Sequence, residues 1–97
     1  MVVLSMNNTT NTTLETLEKA YAKIHETRVN YEKAQQISDI NDADATYLKL
    51  RLHELNAYRE YKKEQLSAAS FNRIHAPVID YRISRVNERL RKKGVVI

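Results

Sequence analysis

The chain has 97 residues, 42% hydrophobic and 29% charged, with a net charge of +4 and no cysteine. This is enough apolar side chain for one small folded domain, and it excludes disulfides and cysteine-bound metal. Only one glycine, Gly94, and one proline, Pro77, are present, so from 12 to 76 the chain has neither of the residues that most readily turn or break a backbone, and an all-α chain of a few long helices is expected.

Residues 1–11 are rich in Asn and Thr and are expected to form a flexible N-terminal tail. Their apolar start, Met1 to Met6, is too short for a signal peptide or a membrane span, and either methionine can be the natural start. Thr12 and Glu15 stand at capping-box spacing, which predicts a first helix over 12–36. Leu14, Leu17, Tyr21, Ile24, Arg28, Tyr31 and Gln35 recur at three and four residues and form one seam close to a heptad. Arg28 within that seam reads as a snorkelling side chain, its stem packed and its head in water.

The polar run from Ser38 to Asp44 predicts a turn, with Asn41 or Asp42 as the cap of a second helix over 42–73. So short a connection makes the two helices antiparallel neighbours. Ala45, Leu48, Leu52, Leu55, Tyr58 and Tyr61 form the stripe of the second helix. A further break is expected over Ser70 to Pro77, with a third helix over 77–93 starting at the proline. Ile79, Ile83, Val86 and Leu90 give that helix a core face. Gly94 ends it in the left-handed conformation, with Val95 returning to Leu90. The expectation is therefore a tail and a single helical domain over 12–97. Its fold is a long antiparallel hairpin plus a third, basic C-terminal helix, coiled-coil-like in its seams.

No constellation in the sequence carries catalysis. The acidic turn fails the calcium-loop pattern, since the sixth residue from Asp39 is Asp44 and the twelfth is Leu50. His53-Glu54 lacks the second histidine of a zinc-protease helix, because position 57 is Ala57. No serine stands in a glycine elbow, and no glycine-rich phosphate loop can form. We therefore expect no enzyme, no cofactor and no metal.

Two binding readings remain. The leading one is a non-enzymatic protein-interaction module, a small adaptor, regulator, inhibitor or assembly chaperone, acting by helix docking and self-association. Its expected interface is Tyr58, Arg59, Tyr61 and Lys62, residue types that interfaces favour. A homo-oligomer, most simply a dimer, is expected because the single-chain core is thin. The alternative is a nucleic-acid-binding regulator. The whole net +4 lies in residues 77–97, where Arg82, Arg85, Arg89, Arg91, Lys92 and Lys93 face only Asp80 and Glu88. Membrane binding is not expected, since the third helix lacks a bulky apolar face. The absence of cysteine and of a targeting segment suits a cytoplasmic setting.

Overall fold

The computed structural model of the protein describes the backbone of residues 2–95 and the side chains of residues 13–39 and 41–95. It is all-α, and no strand occurs among the described residues. Three long helices are present: α1 (Val2–Ala34), α2 (Ala45–Gln65) and α4 (Ala76–Lys92). A 3-10 turn at Ile40–Asp42 joins α1 to α2. A short helix α3 (Ala68–Ser70) and a π turn at Phe71–His75 lead into α4. No helix among the described residues is long and apolar enough to cross a membrane.

α2 is the central element. α1 and α4 each run antiparallel to it and pack on it, with little contact between themselves. The α4 side is aliphatic. Leu48, Leu55, Val86 and Leu90 are buried together with Ala43 and Tyr47, and a second cluster of Phe71, Ala76 and Ile79 continues the core toward the α2 C-terminus. Leu48 and Leu90 have no exposed surface at all. Burial of each such side chain is worth about 2 kcal/mol. The expected core face of the third helix is therefore the face that meets α2.

Several boundaries differ from the sequence reading, each for a local reason. α1 begins at Val2, ten residues ahead of the start expected at 12, and neither proline nor glycine interrupts that stretch. Tyr21 stands opposite Tyr58 and Tyr61, one turn from the end of α2. The α1 backbone ahead of about Leu17 thus runs beyond α2, at ~1.5 Å per residue.

The cap of α2 is Asp44, not Asn41 or Asp42. Asp39 uses its side chain on the Asn41 N–H at 2.9 Å and its carbonyl on the Asp42 N–H at 3.0 Å, so those residues are consumed in their own turn. Asp44 then accepts from the Tyr47 N–H at 2.7 Å.

The second helix stops at Gln65 instead of 73. Leu66 and Ser67 are extended, and the Ser67 hydroxyl caps the next helix by accepting from the Ser70 N–H at 3.3 Å. Leu66 packs on the cluster that holds Phe71, at the spacing of a hydrophobic staple across that cap. The expected break before Pro77 is instead continuous helical backbone. The π turn carries the Ala76 N–H to the Phe71 carbonyl, and Pro77 is the second residue of α4, where its missing N–H matters least.

The exits of α1 and α4 close alike. At the end of α4, Gly94 has φ 78°, and the Val95 N–H reaches the Leu90 carbonyl at 3.0 Å, as expected. At the end of α1, Gln36 takes the left-handed position with φ 54°, and the Ile37 N–H reaches the Glu32 carbonyl at 3.0 Å. The second closure uses a residue with a Cβ where glycine fits best.

Candidate interaction surfaces

The α1–α2 contact is built on charge. Glu54 sits on the α1-facing side of α2 and is only 2% exposed. Arg28 donates to it through Nε at 2.9 Å and Nη2 at 3.0 Å. His25 Nδ1 and Arg51 Nη1 also sit on its carboxylate. Arg28 holds Glu32 as well, at 2.5 Å. Burial alone pushes the Glu54 carboxyl up; the hydrogen bonds from Arg28, His25 and Arg51 reverse that and hold it below the ordinary range. Burial works against the charge on Arg28, and its bonds to Glu54 and Glu32 outweigh this and raise its pKa. Arg28 is therefore not snorkelling: its guanidinium turns inward to a buried carboxylate. At the loop end of the same contact the Tyr31 hydroxyl donates to Asp44 at 2.7 Å. The Tyr47 N–H and this phenol together keep the Asp44 carboxyl below its usual value.

The residues expected as a protein interface are half-buried and engaged within the chain. Tyr58 and Tyr61 lie against Tyr21, with ring centroids 5.1 and 6.2 Å apart. The Lys62 ammonium stands 5.6 and 5.3 Å from the Tyr58 and Tyr61 ring centroids. Arg59 turns the other way, to Asp80 at 2.8 Å and over the Phe71 ring at 5.3 Å. Tyr58 and Tyr61 thus serve the α1 contact, Tyr58 also packs on the Phe71 cluster, Lys62 covers their rings from the same helix, and Arg59 serves the α4 contact.

The basic residues of α4 are distributed differently. Arg82 and Arg85 are exposed and edge a groove of about 300 Å³ whose other walls are Tyr47, Arg51, Leu55 and Val86. Arg85 also lies 6.0 Å from the Tyr81 ring centroid. Lys92 pairs with Glu88 at 3.5 Å. Among the described residues Arg82, Arg85, Arg89, Arg91 and Lys93 have no ion-pair partner.

Sequence reasoning missed an exposed apolar row. Ile74 is 62% exposed, Val78 51% and Tyr81 62%. They follow at four and three residues, and Arg85 continues the row four further on. The spacing was available in the sequence; the expected break at Pro77 divided it.

A larger groove, about 830 Å³, runs along another flank of α4. Asp80, Ser84, Asn87 and Arg91 line it, with Ile83 beneath and Val95 at its C-terminal end. The Asn87 side-chain oxygen is buried there without a hydrogen-bond partner.

No protein family, curated protein or solved structure matches the chain. The functional reading therefore rests on these side chains.

Proposed function

We propose that this chain is a non-enzymatic protein-interaction module, an adaptor, regulator, inhibitor or assembly chaperone that acts by helix docking and by self-association. Its docking face is the outer face of α4 and of the π turn ahead of it, and the occupant is an acidic amphipathic helix of a protein partner. One observation carries this reading. Ile74, Val78 and Tyr81 stand exposed in a helical row that runs on into Arg85, with Arg82 and Arg89 alongside. Large apolar side chains spaced at three and four on a rigid helix match the anchor spacing of a docking helix. The flanking arginines, free of carboxylates among the described residues, favour an acidic partner and fix its register. This moves the interface away from Tyr58, Arg59, Tyr61 and Lys62, whose contacts lie within the chain. A cysteine-free module of this kind suits a reducing, cytoplasmic setting.

A second reading, nucleic-acid binding, is favoured by one specific feature. Exposed Tyr81 beside Arg82 and Arg85 combines a stacking ring with cations, as single-strand binders do. One titration separates the two. A labelled Leu/Glu amphipathic helical peptide and a single-stranded oligonucleotide of equal charge are each added to the protein at several salt concentrations. Peptide binding that Val78→Ser and Tyr81→Ala weaken about tenfold each supports docking. Oligonucleotide binding that falls steeply with salt, with no peptide binding, replaces it.

A further inference from the structure

We infer that α4 pairs antiparallel with α4 of a second copy of this chain, through the flank that carries Asp80, Ser84, Asn87 and Arg91. This rests on the self-association part of the proposed function. It uses a different flank from the docking row, so either can fail alone.

These four residues follow at four, three and four, which places them on one stripe of the helix. The order of spacings reads the same in both directions. In an antiparallel pair with its two-fold axis between Ser84 and Asn87, Asp80 faces the second copy's Arg91, and Ser84 faces its Asn87. Each contact then occurs twice, as a closed two-fold interface requires.

Charge supports the same register. The stripe is acidic at one end and basic at the other, about 16 Å apart along the helix. A parallel pair would set like charges against each other; the antiparallel pair sets opposite charges together. Both groups are free to take part. Arg91 is exposed and has no ion-pair partner among the described residues. Asp80 gives Oδ1 to Arg59 at 2.8 Å, while the second contact, to Oδ2, is long at 3.5 Å, so Oδ2 retains capacity to accept.

Asn87 is the independent observation. Its Oδ1 is buried and unpartnered beside this groove of about 830 Å³. A buried oxygen without a donor is costly in a folded chain. In the paired arrangement the Asn87 amide turns toward the groove, where the hydroxyl of the second copy's Ser84 donates to its Oδ1. Ile83 and Val95 supply apolar floor on either side.

Charge reversal in sedimentation velocity tests this. The wild-type protein is expected to be a dimer. Arg91→Asp and Asp80→Arg, each alone, place like charges together at both ends and weaken the dimer at least about tenfold. Mixing the two variants restores pairing as a mixed dimer, because each contact again joins opposite charges. The double variant Asp80→Arg/Arg91→Asp dimerises by itself. If Asp80→Arg unfolds for want of its Arg59 pair, Ser84→Trp serves instead. It blocks the centre of the stripe, and loss of the dimer with helicity intact supports the pairing. A wild-type protein that stays monomeric up to about 1 mM overturns the inference. So does a dimer that Arg91→Asp and Ser84→Trp leave unchanged. Unimpaired dimerisation of Val78→Ser and Tyr81→Ala separates this surface from the docking row.

Discussion

The two long seams of α2 are held by different physics. Toward α4 it presents Leu48 and Leu55 to Val86 and Leu90, a contact of close-packed aliphatic side chains. Toward α1 it presents Glu54, Tyr58 and Tyr61 to Arg28, His25 and Tyr21, a contact of charge and tyrosine. Aliphatic burial contributes most of the stability and tolerates small shifts in register. A buried carboxylate with three donors contributes less net stability, because its desolvation offsets most of the attraction. It is strict about geometry, however, since any other register leaves the carboxylate unpaired. The α4 seam therefore reads as the stabilising half of the fold, and the α1 seam as the half that fixes one alignment.

The strongest way to break this comparison is to empty the aliphatic seam. Leu90→Ala removes a fully buried side chain and is expected to cost about 3 kcal/mol, a large part of the stability of so small a domain. Chemical denaturation measures it, and a loss below about 1 kcal/mol would mean that this seam is not the main support.

Glu54→Ala comes next, at about 2 kcal/mol. It leaves Arg28 and Arg51 facing each other without their carboxylate, though Arg51 retains access to water. The loss should be local. Native-state hydrogen exchange should quicken over residues 17–34 more than over residues 76–92. Equal quickening in both would show that the two seams are not separable.

Acid sharpens the contrast further. The folded Glu54 carboxyl titrates below its ordinary value of 4.5, so its contribution is complete above that pH and is lost as pH falls through the lower, folded value. Stability of the wild type should therefore decline as pH drops below about 4.5. In Glu54→Ala the decline should be shallower, the remainder belonging to Asp44, whose carboxyl is depressed too. Identical acid profiles would remove Glu54 from the explanation.

The smallest expected effect has the opposite sign. Gln36 closes α1 at φ 54°, where Gly94 closes α4 at φ 78°. Gln36→Gly should relieve the left-handed strain and stabilise by at most about 1 kcal/mol, read as a rise in Tm. A fall in Tm would mean that the lost side chain matters more than the strain.

The aliphatic seam was legible in the sequence, and the charged one was not. Ile79, Val86 and Leu90 carry helical spacing that points to one buried face, and Leu48, Leu52 and Leu55 answer them on α2. Glu54 gives no such sign. A glutamate on a charged helix resembles any solvated residue, and only the approach of Arg28 and His25 from another helix makes its burial tolerable. The end of α2 was misplaced because Pro77 is the louder signal. The quieter one was Ser67 with Leu66 before it and Phe71 after it, a cap and staple that mark a helix start ten residues earlier. The candidate surfaces divided in the same way. The arginines of α4 could be named from charge alone, whereas the exposure of Ile74, Val78 and Tyr81 depends on which face of α4 meets α2.

The π turn at Phe71–His75 has a consequence for the length of the chain. It holds one residue more than an α-helix needs over the same rise. Deleting one residue there would let Ala68 to Lys92 close as a single regular helix, and it would rotate everything ahead of the deletion by about 100° relative to α4. Phe71 would swing away from Ala76 and Ile79, and Arg59 would be drawn away from Asp80. Chains of this fold should therefore tolerate substitutions in this segment far better than a change in its residue count.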